Sequence, residues 1–207
     1  MTISDTDRPT IRPRPKRADV RARIVAAAQD AFLRDGYQRA NIGDIAAAAG
    51  FSKGAVYSNF GGKADLFTAV INENTSTLIN TVLTSSERLV AAVRDPAAID
   101  ELAADVADAV VAESPALTML TEFRSLAAGD AELAAVYAKL RVEQRHTLLT
   151  DLQRRSAGTP AAVDEAAAAL IISLIQSLSA EHAVAPAAMP RYLIKNTIRI
   201  AMKGILQ

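Results

Sequence analysis

Six residues in one short stretch, Lys53, Gly54, Ala55, Tyr57, Ser58 and Asn59, combine a cation, three hydrogen-bonding tips and two very small side chains. This mixture suits recognition rather than bond-making. Lysine, serine, asparagine and tyrosine can reach phosphate oxygens or base edges, and small residues let a helix backbone come close to a grooved surface. Val56 and Phe60, four apart in the same stretch, would form the inward face of that helix. A short helical hairpin inside an all-α core accounts for the spacing equally well.

The flanking residues say how such a helix would be held. Asn41 is a plausible N-cap with Asp44 three residues on, and Ile42, Ile45, Ala46 and Ala49 recur at the spacing of one apolar helical face. Gly50 ends that helix, Phe51 and Ser52 complete a tight link, and Ser52 caps a second helix from Lys53 to about Phe60, giving helix, turn, helix. Upstream, Ala18 to Asp35 reads as a helix with Ile24, Ala28, Ala31 and Phe32 on one face, stopped by Gly36. Together with Tyr37 these should form a three-helix core with Ile42, Ile45, Val56 and Phe60. Gly61 and Gly62 break the pair, and Lys63 opens a long helix through Leu66, Phe67, Val70 and Ile71. Its N-terminus, with Lys63 beside it, reads as a phosphate clamp.

Charge points the same way. The net charge is zero, yet residues 1–63 hold 11 Lys and Arg against 6 Asp and Glu, and residues 64–207 hold 12 against 17. Residues 1–17 read as a disordered basic arm. The run from Arg8 to Arg17 carries five cations, three prolines and no acid, so an extended arm could follow a phosphate backbone or enter a minor groove through Arg12, Arg14 and Arg17.

The run from Gly36 to Phe67, GYQRANIGDIAAAAGFSKGAVYSNFGGKADLF, resembles the DNA-binding domain of the TetR family of bacterial transcription regulators. IAAAAGFSKGAVYSNF followed by GGKADLF is its most specific part, and the resemblance is sharp over about residues 18 to 70. The family often has Thr or Ser where this chain has Ala40, and Glu where it has Ala64, so Ala40 is given no DNA contact. The resemblance implies a homodimeric, sequence-specific transcription regulator, expected to be a repressor, binding a near-palindromic operator in double-stranded DNA. Asn41, Ser52 and Lys63 join the six residues above as its expected DNA contacts. It also implies a small-molecule effector, expected to be apolar or amphipathic.

Composition bounds the alternatives. Half of the 207 residues are hydrophobic, enough for a sizeable core, while 4% aromatic content and abundant alanine favour close-packed helices. There are no cysteines, so disulfides, thiolate metal sites and cysteine nucleophiles are excluded together. His146 and His182 stand apart with no metal-ligand spacing, and no phosphate-loop or nucleophile-elbow pattern occurs. No enzyme, cofactor or metal is expected. No secretory signal is convincing, and the most apolar window, Ala166 to Ala180, is too short to span a bilayer. A cytoplasmic protein with no membrane partner is the simplest reading.

Beyond Arg94, alanine-rich amphipathic segments are punctuated by Pro96, Pro115, Gly129, Gly158, Pro160, Pro186 and Pro190, predicting helices near 96–113, 116–128, 130–156, 161–184 and 189–206. The fold class is therefore all-α with about nine helices. A helix-turn-helix domain over 18–63 is joined by a long helix to an effector-binding and dimerisation domain over 64–207. The last two helices are apolar nearly all round, which predicts a four-helix dimer interface through Ile171, Leu174, Ile175, Leu178, Ile198 and Met202. Met119, Leu120, Phe123 and Leu126 form a soft apolar face near Glu122, with Tyr137 and Gln176 as polar candidates, and are the expected lining of a ligand cavity. Plain core accounts for that stripe as well.

Overall fold

In the computed structural model, residues 16–84, 96–155 and 164–205 are described, and among them every regular element is a helix. These are α1 (Arg17–Arg39), α2 (Ile42–Ala49), α3 (Lys53–Phe60), α4 (Lys63–Thr84), α5 (Pro96–Ala127), α6 (Ala131–Arg155), α7 (Glu165–Val184) and α8 (Arg191–Ile205). The all-α expectation is met. Gly158, Pro160, Arg12 and Arg14 lie outside the described residues.

Local chemistry sets the N-terminal elements. Gly36 interrupts α1 with φ 75° and ψ 169°, a backbone region essentially closed to side chains, and the chain resumes one more turn to Arg39. Gly50 closes α2 in the left-handed region at φ 77°, where its N–H bonds back to α2 carbonyls, and three residues later α3 begins. Ile24, Ala28 and Phe32 of α1 pack with Ile45 of α2, Val56 and Phe60 of α3, and Leu66, Phe67, Val70 and Ile71 of α4. All are nearly inaccessible to water.

The same core continues without a break into the rest of the chain. Met119, Leu120 and Phe123 of α5 and Leu140 of α6 belong to it. Phe67 stacks on Phe123 with centroids 4.6 Å apart, and Tyr37 meets Phe123 edge-on at 4.8 Å and Phe67 at 5.2 Å. The boundary read at residue 63 is therefore a change of role rather than a gap in packing. A second core joins Leu102, Val106 and Val110 of α5 to Leu178 of α7 and to Ile194 and Ile198 of α8. Arg191 caps it from outside, its guanidinium forked onto the Asp108 carboxylate, which is held below the usual carboxylate range by those hydrogen bonds.

Two sequence expectations change. The segments 96–113 and 116–128 are one 32-residue helix with Pro115 inside it. A proline removes one backbone donor, but Val110 before it and Leu117 after it are both buried, so packing carries the helix across. The window from Ala166 to Ala180 is too short for a bilayer, yet the helix that contains it is not. That helix, α7, has 20 residues and is long and apolar enough by length and composition alone. In the fold α7 packs against α5, α6 and α8.

Gly36 generates a direct test. A Cβ there would sit 2.9 Å from Glu122 Oε2 in a backbone region that disfavours side chains. Gly36→Ala is expected to lower stability by about 1–3 kcal/mol, read as the shift in the urea unfolding midpoint. An unchanged midpoint would mean that the kink relaxes at no cost.

Candidate nucleic-acid interface

The helix α3 is fixed at both ends. The Ser52 hydroxyl accepts from the Ala55 N–H at 3.3 Å, and Gly61 at φ 81° closes the C-terminus. The Asn41 side-chain oxygen accepts from the Gly43 N–H at 2.6 Å and does the same for α2. Asn41 and Ser52, expected as DNA contacts, are thus engaged as caps, although both remain exposed.

Lys53, Gly54, Tyr57 and Ser58 share the exposed face of α3, with Tyr57 46% exposed and its ring 5.9 Å from the Lys53 ammonium. Ala55 is half-buried at its edge. A Cβ on Gly54 would meet only Ser52 Oγ at 3.8 Å, so nothing inside the protein requires glycine there. Asn59 does not join this face. Its side-chain nitrogen donates to the Ala55 carbonyl at 2.8 Å, and its side-chain oxygen is buried without a partner. Four-residue spacing from Ala55 lets the amide fold back onto its own helix, an option that residue type alone did not reveal.

Lys63 also points elsewhere than expected. Its ammonium donates to the Gln38 carbonyl at 2.9 Å and lies 4.9 Å from the centre of the Tyr37 ring. Partial burial lowers its pKa, opposed by the Glu122 carboxylate. Asp65 already places a carboxylate in the first turn of α4. This lysine therefore ties α4 to the end of α1. Arg17 is exposed on the first turn of α1.

Two arginines that the sequence reading passed over do structural work here. Arg21 lies 4.3 Å over the Phe60 ring and donates to the Asn59 carbonyl at 3.1 Å. Arg23 lies 4.8 Å over Phe51 and donates to the Ala49 carbonyl at 2.8 Å, covering the turn between α2 and α3. Both clamp α1 onto the helix pair and so fix the angle at which α3 is presented.

Residues 24–70 match the family described as bacterial regulatory proteins, tetR family. Over these residues the chain is similar to the TetR family. Over 61 residues the chain is 38% identical to the HTH-type transcriptional regulator TtgR of Pseudomonas putida and equally to the probable HTH-type transcriptional regulator ArpR of the same species. Those matches take in 30% of this chain and 29% of each relative's own length. Over the whole chain the likeness is one of fold. A transcriptional regulator from Rhodococcus sp. Rha1 superposes with a TM-score of 0.59 at 23% identity, covering 90% of this chain and 96% of its own. Salmonella enterica GusR gives 0.59 at 22%, covering 90% and 95%.

Below the TetR-type domain, α5 presents two different faces. Met119, Glu122, Phe123 and Leu126 face the N-terminal core, where the Glu122 carboxylate accepts from the Tyr37 N–H at 3.1 Å, directly after the Gly36 kink. These four were expected to line a ligand cavity, and they instead form the junction with the TetR-type domain. Leu117, Thr121 and Arg124, on the far side of the helix, line a cavity of about 180 Å³, and Leu120, which also belongs to the N-terminal core, borders both. Tyr137 of α6 and Gln176, Ser177, Ala180 and Glu181 of α7 complete it, so of the expected lining only Leu120, Tyr137 and Gln176 are there. A larger cleft of about 360 Å³ between α1 and α2 carries Asp30, Asp35 and Asp44 together with Arg23 and Arg34, a mixed charge with Arg34 already paired to Asp35.

The expected interface residues divide as well. Leu178 and Ile198 are buried within the protomer, packed with Leu102 and Val106, while Ile171, Leu174, Ile175 and Met202 are half-buried. The apolar residues that α7 and α8 expose are Leu170, Val184, Tyr192, Leu193 and Ile200. Helical spacing marked both helices as apolar but could not say which side the protomer uses itself. His146 is exposed, and His182 Nδ1 lies 2.9 Å from the Met189 carbonyl. No group of three metal-ligating side chains occurs among the described residues.

The Glu122 contact can be tested by what replaces it. Glu122→Ala leaves the Tyr37 N–H without its acceptor and is expected to lower stability by about 1–3 kcal/mol, whereas Glu122→Gln keeps an acceptor oxygen and loses less. Thermal unfolding followed by circular dichroism reads the difference. Equal losses would show that the carboxylate only fills space.

Proposed function

We propose that this protein is a DNA-binding transcription regulator, a repressor acting as a homodimer, whose operator affinity responds to a small apolar or amphipathic effector. The observation that carries this reading is the α3 face of Lys53, Gly54, Tyr57 and Ser58, exposed on a helix clamped by Arg21 and Arg23 within a TetR-type domain. The relatives matched over that domain are named as HTH-type transcriptional regulators, which supports the same assignment.

Lys53 and Tyr57 contact phosphates, joined by the basic arm, and Gly54, Ala55 and Ser58 approach the bases. The exposed apolar residues of α7 and α8 support a two-fold dimer, which sets two α3 helices about 34–36 Å apart for successive major grooves of a near-palindromic operator. With about six phosphates neutralised per dimer, log affinity falls with log salt at a slope of about −5. The effector acts through α5, which touches both the cavity and the end of α1, and a coupling of about 1–3 kcal/mol weakens operator binding about 5- to 150-fold.

A gel shift of the full-length protein on DNA from upstream of its own gene tests the assignment, and Lys53→Ala with Tyr57→Ala should abolish the shift while leaving the helical signal intact. Gly54→Ala separates recognition from folding more sharply. Alanine fits the helix without a clash and should stabilise the fold by about 0.5–1 kcal/mol, yet its methyl group holds the backbone off the groove and weakens operator binding. A variant that is both more stable and undiminished in DNA affinity would remove α3 from the interface.

A further inference from the structure

The cavity between α5, α6 and α7 has an electrostatic character that an apolar effector would leave unanswered. Arg124 lines it on α5, and no ion pair or hydrogen bond joins the Arg124 side chain to any group among the described residues. Tyr137 also lines it, and Arg141 stands one helical turn further along α6. The Arg141 guanidinium is half-buried, and its donors meet only neutral acceptors, Gln144 Oε1 at 3.2 Å and Ser173 Oγ at 3.1 Å. Ser173 shares an α7 face with Gln176, Ser177 and Ala180, all three of them in the cavity wall, so Arg141 is held beside that wall without itself being part of it.

Arg145, the next cation on α6, already has Glu165 as its partner at 3.3 Å. Burial lowers the Arg141 pKa; Tyr137 opposes this, and the nearby charges of Arg145 and Arg124 add to it. A half-buried guanidinium next to a second unpaired one is an arrangement that an anion relieves. The single carboxylate in the wall, Glu181, is exposed and makes no ion pair with Arg124. The wall itself sets Arg124 against Glu181, and the Arg141 guanidinium beside it, close enough to feel the Arg124 charge, supplies the cationic excess.

We propose that the effector is a small amphipathic organic acid, its carboxylate received by Arg124 and Arg141 and its apolar body lying on Leu117, Leu120 and Ala180. This inference rests on the reading of the chain as an effector-responsive regulator and names the chemical class of the effector. The cavity volume of about 180 Å³ is equivalent to roughly six water molecules at about 30 Å³ each, which suits an acid of the size of benzoate or hexanoate. Arginine presents paired donors that match both oxygens of a carboxylate, which the corresponding amide or amine cannot reproduce.

The test is thermal unfolding of the full-length protein with benzoate and hexanoate, their amides benzamide and hexanamide, and the amines benzylamine and hexylamine, at matched pH and ionic strength. Saturable stabilisation by an acid but not by its amide or amine is expected. Arg124→Gln and Arg141→Gln should each weaken that acid about 10- to 100-fold. Arg124 is exposed, so its variant keeps the test open if the Arg141 variant folds poorly. Stabilisation by the amides or amines without the acids overturns the acid assignment while leaving an effector site in place. No saturable shift with any of the six compounds overturns both the acid assignment and the effector role of this cavity, and acid binding undiminished in both variants places the anion elsewhere.

Discussion

The aromatic contact of Phe32, Tyr37, Phe67 and Phe123 is the constraint on which the rest of the molecule depends. These rings come from α1, α4 and α5, and their centroids stand 4.6 to 6.1 Å apart. Tyr37 enters the cluster only because Gly36 turns the chain through a conformation that other residues resist, and that turn presents the Tyr37 N–H to Glu122. One glycine thus aligns a ring and a backbone donor toward α5 together. Dispersion and apolar burial in this cluster hold the N-terminal helices against the rest of the chain over a short and rigid path.

Where the sequence was readable, the determining interactions were local. Asn41, Gly50 and Ser52 act within three or four residues of themselves, so the caps and the turn between α2 and α3 could be placed from residue type and spacing. Glu122 and Tyr37 are 85 positions apart, and Arg21 reaches Asn59 across 38, so no periodicity signals either contact. The stripe from Met119 to Leu126 shows the limit well. Its spacing identified an apolar face on a helix, but whether that face meets a cavity or a neighbouring core depends on which element lies opposite, and that is a property of the tertiary arrangement. Pro115 fails for a related reason, because packing on both sides overrides a local preference.

Charge counts need the same correction. The excess of cations in residues 1–63 suggested a broadly cationic surface, yet several of those cations hold partners within the fold while staying at its surface. Arg21 and Arg23 cover rings and carbonyls, Lys63 binds Gln38, and Arg34 is paired with Asp35 at 2.7 Å. Lys53 on α3 and Arg17 on α1 remain exposed. What distinguishes the α3 face is therefore less the amount of charge than its placement beside small residues on a helix whose inner side is fully packed.

The two faces of α5 bring these threads together. Glu122 and Phe123 hold the end of α1, while Leu120, Thr121 and Arg124, within one turn, line the cavity. A helix packed rigidly at its N-terminal-domain face cannot rotate or slide to accommodate a ligand on the other without disturbing the rings it holds, because cores at native density do not deform continuously. On the proposed reading, an acid drawing Arg124 toward Arg141 would pull on the same turn that carries Glu122. Coupling then requires no long relay of contacts. It requires only that the cavity and the Tyr37 contact share a helix turn stiff enough for the two to be incompatible in one geometry.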